Sequence, residues 1–381
     1  MRRRLYDNDH EQFRAAFRTF LERNAVPHAD EWEERGTVDR GYWHEAGKAG
    51  FIGFEAPVEH GGLAIRDFRY NAVITEEIVR SGVNGDAFTM ANDILAPYLI
   101  EVTDEAQAQR WLPGFVSGEL IAALALSEPG GGSDLAALAS TGTWHGDRIV
   151  INGSKTFITS GATADLALVL VRTGEADGRG MTLVAVEADT PGFTRGAPMH
   201  KIGRRAQDTA ELFFTDCEVP ASNVLGEPGE GFRLVMRNLA RERLSIAVNG
   251  VCVARRALDL TLDHTRERKT FGKRLVDHQS VRHAVAEMHT AIEVTQSHID
   301  RCIVALDAGE LTAVDAAAAK FHATELEFAT ADRCLQLFGG YGYIEEYPIA
   351  RLWRDARVTR IYGGANEIMR EIVGRDIAGR P

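Results

Sequence analysis

Apolar residues recur at three- and four-residue spacing from Asp9 to about Leu120, as in Phe13, Phe17, Phe20 and Leu21, and this predicts amphipathic helices. The pattern breaks at Glu55-Ala56-Pro57-Val58-Glu59-His60-Gly61-Gly62, where Pro and Gly mark a loop. Between about Ile121 and Gly226 the texture changes to short β-rich runs: Arg148 to Ile151, Leu166 to Val171, Met181 to Val186 and Ala210 to Phe214. Gly146-Asp147 and Asn152-Gly153 read as hairpin turns between them. From about Glu227 the helical period returns, with an Ala-rich stretch from Ala313 to Ala319 and stops near Gly309 and Gly339-Gly340. The prediction is an α+β chain in three parts: helices over 1–120, a small β barrel or sandwich over 121–226, and a helical bundle over 227–381.

Composition narrows the chemistry. With 381 residues, 45% of them hydrophobic, the chain can bury a large core without staples. A net charge of -12 opposes binding to nucleic acid or an anionic membrane through the overall field, so an anionic ligand needs a specific pocket. Cys217, Cys252, Cys302 and Cys334 are far apart and form no CxxC pair, which reads as a reduced, cytoplasmic chain. The basic start Met1-Arg2-Arg3-Arg4 runs into Asp7-Asn8-Asp9 and not into an apolar signal core. The longest apolar runs, such as Leu120 to Leu126, fall far short of the roughly 20 residues that span a bilayer. No HExxH, GxGxxG or GxxxxGK[ST] occurs, so a metal site, a βαβ dinucleotide fold and a P-loop are not expected.

Two segments carry candidate chemistry. Leu124-Ala125-Leu126-Ser127-Glu128-Pro129-Gly130-Gly131-Gly132-Ser133-Asp134 is an apolar run entering a triple-glycine turn flanked by hydroxyls; it reads either as a plain loop or as a cradle for a flat ring or phosphate. Asn152-Gly153-Ser154-Lys155-Thr156-Phe157-Ile158-Thr159-Ser160-Gly161 reads as a turn followed by a strand, and the two-residue period puts Phe157 and Thr159 on one face. That pair suits a flavin, with the aromatic ring over one face and the hydroxyl at the edge, and suits equally a core aromatic beside a solvated Thr.

These two segments resemble the flavin motifs of the acyl-CoA dehydrogenase family. Glu267-Arg268-Lys269-Thr270-Phe271-Gly272, His278-Gln279 and Gln336-Leu337-Phe338-Gly339-Gly340-Tyr341-Gly342 resemble that family too, in its order and spacing, over essentially the whole chain. The resemblance implies FAD as cofactor and a fold of N-terminal helices, a middle β-barrel-like domain and a C-terminal four-helix bundle. It implies flavin contacts from Leu124, Leu126, Ser127, Gly132, Ser133, Phe157, Ile158 and Thr159, and contacts to the ADP part from Arg268, Thr270, Phe271, Gln279, Gln336, Gly339 and Gly340, some reaching from a neighbouring subunit. Ala365, Asn366 and Glu367 complete the implied cofactor set, with Ala365 standing where the family commonly has Thr. A homotetramer built as a dimer of dimers, an acyl-CoA substrate and an electron-transfer flavoprotein as acceptor are implied in the same way, in fatty-acid oxidation.

Removing a proton from Cα beside a thioester requires a carboxylate. Many family members place that Glu directly after the Ile-Tyr of a C-terminal motif, but here the motif reads Ile361-Tyr362-Gly363-Gly364-Ala365-Asn366-Glu367-Ile368. Glycine takes no proton, so the chain is either inactive or supplies a carboxylate from elsewhere. Phe232, Val235, Met236, Leu239, Glu242, Arg243, Ile246, Gly250, Val253 and Ala254 follow one helical face, and Glu242 interrupts that apolar stripe. A desolvated carboxylate there gains basicity; a buried ion pair is the structural alternative. Glu242-Arg243 resembles the base position of the long-chain and isovaleryl branches, which implies Glu242 as base. Ser133, Arg243 and the Gly363 backbone N–H would then meet the substrate. Rival readings are a relative acting on carrier-protein thioesters and a non-catalytic flavin-binding or DNA-associated relative.

Overall fold

The computed structural model describes residues 3–83, 88–174 and 180–379; Met1 and Arg2 of the basic start lie outside them. Among these residues six α-helices come first: α1 (Asn8–Asn24), α2 (Ala29–Arg35), α3 (Arg40–Lys48), α4 (Phe68–Ser81), α5 (Ala96–Glu101) and α6 (Glu105–Val116). Asp7 and Asp104 cap α1 and α6 with capping boxes, satisfying N–H groups that a helix start leaves open. Phe17, Phe20 and Leu21 of the predicted α1 stripe are buried. Between α4 and α5, Thr89–Leu95 is a π-helical turn, a form concentrated at functional sites.

Among the described residues eight strands follow: β1 (Ala122–Ala125), β2 (Thr141–His145), β3 (Arg148–Thr159), β4 (Leu166–Arg172), β5 (Met181–Glu187), β6 (Phe193–Arg195), β7 (Thr209–Pro220) and β8 (Val224–Leu225). They form one sheet in the order β6-β7-β3-β2-β4-β5-β8, with β1 added parallel to β4. Leu166, Leu168 and Leu170 of β4 enter the core shared with the N-terminal helices, while Ala167, Val169 and Val171 enter the core on the opposite face. Both faces are covered, which explains why β4 and β5 read as unbroken apolar runs.

The predicted hairpin at Asn152-Gly153 is corrected by the sheet. Gly146 and Asp147 turn β2 into β3, pairing His145 with Arg148, and β3 then runs through Asn152 and Gly153 without reversing. Gly153 is there for close approach: a Cβ would collide with the Ser140 side chain.

The last part packs α7 (Gly231–Glu267), α8 (Gln279–Asp307), α9 (Ala313–Phe338), α10 (Pro348–Ala356) and α11 (Asn366–Ala378), with short strands β9 (Lys269–Thr270) and β10 (Lys273–Arg274) after α7. Phe68, Ala72 and Val79 of α4 join this core, so α4 ties the first helices to the last. No described helix is long and apolar enough to cross a membrane.

Candidate active site

The first two motifs meet side by side. After β1 the chain turns back, with Gly131 N–H donating to the Glu128 carbonyl at 3.0 Å and Glu128 N–H to the Gly131 carbonyl at 2.9 Å. Thr156 N–H donates to the Ser127 carbonyl at 2.9 Å, which joins the triple-glycine turn to β3. Beneath this seam the Glu128 carboxylate accepts from Lys155 Nζ at 2.7 Å and from the Ala139 and Ser140 N–H groups at 2.6 and 3.0 Å, and Lys155 also donates to the Leu126 carbonyl at 3.2 Å. Neither residue stood out in sequence, because a Lys inside a strand reads as solvated; Lys155 is in fact fully buried. Lys155→Met would leave the Glu128 carboxylate buried without its cation, a loss of about 3–5 kcal/mol. Urea unfolding of the purified variant should show it, together with weakened retention of bound flavin.

Phe157 is exposed and Thr159 half-buried on either side of buried Ile158, as expected of residues on one face, and the strand alternation is broken just before them. A register shift between Lys155 and Ile158 puts a bulge in β3; Lys155 and Thr156 are both buried, and Phe157 is pushed outward. Phe157 has φ +58° and is 70% exposed; Phe271 has φ +50° and is 97% exposed. A bulky residue in the left-handed region costs about 1–3 kcal/mol, and such strain clusters at ligand sites. Two aromatic rings held outward in strained backbone, Phe157 in the second flavin-like segment and Phe271 in the Arg268 segment, fit a cofactor that covers them. Open space around Gly130, Gly132, Gly339 and Gly340 fits close approach by a ring or phosphate. Leu124 is buried behind this surface, Leu126, Ser127 and Thr159 are half-buried, Gly132 and Ser133 are exposed, and Ile158 points into the sheet core.

The second set gathers at the far end of α7. Arg268 lies with its guanidinium 5.7 Å from the Tyr341 ring centroid, the Thr270 hydroxyl is 3.1 Å from His278 Nε2, and His264 stacks on Phe338 at 4.2 Å. These contacts bring Arg268, Thr270, Phe271, Gln279, Gln336, Gly339 and Gly340 to one face; all but the half-buried Thr270 are exposed. Glu242 and the end of α7 at Glu267 are 25 residues apart, about 37 Å at 1.5 Å per residue.

Glu242 lies on the predicted α7 face, next to the Gly363 loop. A Cβ at Gly363 would stand 3.6 Å from Glu242 Oε1, so side chains from the two positions would meet at one place. Gly363 and Gly364 have φ +63° and +94°, and Gly364 would press on Met369 if it carried a side chain. Arg243 Nε donates to the Gly363 carbonyl at 3.4 Å, while Lys320 Nζ donates to the Gly364 carbonyl at 2.8 Å and to Asn366 Oδ1 at 2.9 Å. Lys320 was not foreseen; it follows the Ala-rich stretch and is fully buried. Asn366 is thus buried as a loop anchor, whereas Ala365 is half-buried and Glu367 exposed. Partial solvent access remains at Glu242, yet protein crowds its carboxylate. That desolvation pushes its pKa up to about 7, against the lowering influence of Arg243 and Lys320. Phe232, Met236 and Leu239, earlier on the same stripe, are only partly covered, leaving an apolar surface open beside the carboxylate.

Comparison with known proteins agrees with this architecture at every level. Three family models match in succession: acyl-CoA dehydrogenase N-terminal domain at residues 7–119, middle domain at 123–217 and C-terminal domain at 229–378. The long-chain specific acyl-CoA dehydrogenase of Sus scrofa mitochondria is 40% identical over 378 residues, 98% of this chain and 88% of that protein. The crystal structure of acyl-CoA dehydrogenase from Geobacillus kaustophilus is 44% identical, with a TM-score of 0.96 over 98% of this chain and 99% of that one. A glutaryl-CoA dehydrogenase from Mycobacterium smegmatis solved in complex with FADH2 is 26% identical, with a TM-score of 0.89 over 99% of this chain and 96% of that one. With its helices, sheet and bundle matched in order, this chain belongs to the acyl-CoA dehydrogenase family.

Proposed function

We propose that this protein is an FAD-dependent acyl-CoA dehydrogenase in which Glu242 removes the Cα proton of an acyl-CoA to give the trans-2-enoyl-CoA. The observation that carries the reading is the 3.6 Å between Glu242 Oε1 and the place where a Gly363 side chain would begin, because it puts a carboxylate where a loop glutamate would otherwise act. Bound FAD supplies the acceptor for the hydride that leaves Cβ as the Cα–H electrons form the double bond. Glu242 holds the proton. The Gly363 N–H, on a loop pinned by Arg243 and Lys320, donates a hydrogen bond to the thioester carbonyl oxygen in this reading, as enolate charge develops there. Ser133 and Arg243 complete the substrate contacts, and the cofactor is held by the two sets described above. The roughly 37 Å along α7 between Glu242 and the Arg268 face supports a second copy of the chain bringing that face to its neighbour's flavin, as in a dimer of dimers. An electron-transfer flavoprotein reoxidises the cofactor in this reading, and the setting is cytoplasmic.

The pH profile tests the base directly. A free-enzyme carboxylate with a pKa near 7 is mostly protonated, and idle, at pH 6. The kcat/KM for flavin reduction should therefore climb about tenfold per pH unit below that value and level off above it. A flat profile between pH 5.5 and about 8 would remove Glu242 from the role.

A further inference from the structure

Beyond Glu242, the same face of α7 leads to a buried polar recess that the reaction does not use. Ile246, Asn249 and Val253 follow Glu242 at intervals of four, seven and eleven residues, and Asn249 lies about 10 Å along the helix from Glu242. Tyr362 links the two places: Gly363 follows it beside Glu242, and its ring lies 5.9 Å below the Arg204 guanidinium. Asn249, Val253, Glu327, Asp355, Thr75 and Arg204 line a cavity of about 30 Å³, room for a hydroxyl-sized group or a water.

The polar atoms there are incompletely matched. Glu327 is fully buried; its Oε2 accepts from the Thr359 hydroxyl at 2.6 Å, and Oε1 accepts from Asn249 Nδ2 at 3.5 Å, the outer limit of a hydrogen bond. Asp355 is 94% buried; Oδ1 accepts from Arg204 N–H at 2.6 Å, whereas Oδ2 has no hydrogen-bond partner among the described residues. Burial pushes the Glu327 carboxyl up to about 8, so near neutrality it carries a proton that it can donate. A donor carboxyl, an amide and an acceptor oxygen converge on a space that an apolar chain end would leave unsatisfied.

We propose that this recess is an acyl-tail subsite selecting acyl-CoA substrates whose distal end carries a neutral hydrogen-bonding group, a hydroxyl in the simplest case. The inference rests on the dehydrogenase reading above and adds the substrate class. A site built to hydrogen-bond a hydroxyl rejects the analogue lacking it far more strongly than an apolar pocket rejects an added one.

Anaerobic flavin reduction with acyl-CoA pairs of equal length, octanoyl with ω-hydroxyoctanoyl and decanoyl with ω-hydroxydecanoyl, tests it. In one of the pairs the hydroxylated member should have the higher kcat/KM, by about tenfold or more. Asn249→Val and, separately, Glu327→Met should each reduce that ratio at least about fivefold, the first keeping the assay readable if the buried second variant folds poorly. Equal or inverted preference in both pairs, meaning the recess holds water only, overturns the proposal, as does a wild-type ratio retained in folded Asn249→Val. Bleaching by none of the four thioesters would strike the dehydrogenase reading itself and this inference with it.

Discussion

Glu242→Gln should slow flavin reduction by acyl-CoA between about a hundredfold and ten-thousandfold, the usual contribution of a positioned general base. The amide keeps the shape of the carboxylate and removes its basicity. Arg243 and Lys320 hold the neighbouring loop through its carbonyls and Asn366, not through Glu242, so the Gly363–Asn366 backbone should stay in place. Yellow colour, acyl-CoA binding and thermal stability should therefore persist while bleaching is lost in stopped-flow absorbance. Bleaching at the parental rate would exclude Glu242 as base, and loss of flavin together with activity would point to the buried ion-pair alternative.

Moving the carboxylate should restore part of what its removal costs. Glu242→Gly with Gly363→Glu starts the new side chain at the point 3.6 Å from the old Oε1, within reach of the same proton. Two obstacles are visible in the loop. A residue at φ +63° is strained by about 1–2 kcal/mol, and its Cβ would overlap Ile246 Cδ1. The overlap is with the far end of a side chain, which rotates or can be shortened. The double variant should accordingly regain at least about tenfold over Glu242→Gly, and Ile246→Ala added to it should regain more, since near-attack geometry governs the rate steeply. No recovery in either would mean that the two positions, though adjacent, do not serve the same substrate atom.

Both expectations draw on features that were partly legible beforehand. The helical stripe through Glu242 could be read from residue order alone, because a 3.6-residue period is local, whereas the missing carboxylate at Gly363 stood out only against the family's motif. The identity of the β runs was equally local, whereas the path of β3 through Gly153 was not: Asn-Gly is a strong turn signal, and only Ser140 packed against that glycine shows why it sits inside a strand. The bulge that turns Phe157 outward was hidden for the same reason, since it depends on pairing with β7, more than fifty residues away.

By itself, then, the order of residues determined the three-part architecture, which follows from short-range periodicity and turn chemistry, while the flavin-like segments and Glu242 as candidate base were marked by their resemblance to the family. Tertiary structure alone decided what surrounds them. Lys155 with Glu128, Lys320 with the Gly364 carbonyl, and Glu327 with Asn249 are charged or polar residues whose burial no local pattern announces. Their partners lie 27, 44 and 78 positions away, so the energy that makes them tolerable in the interior exists only after folding brings those partners together.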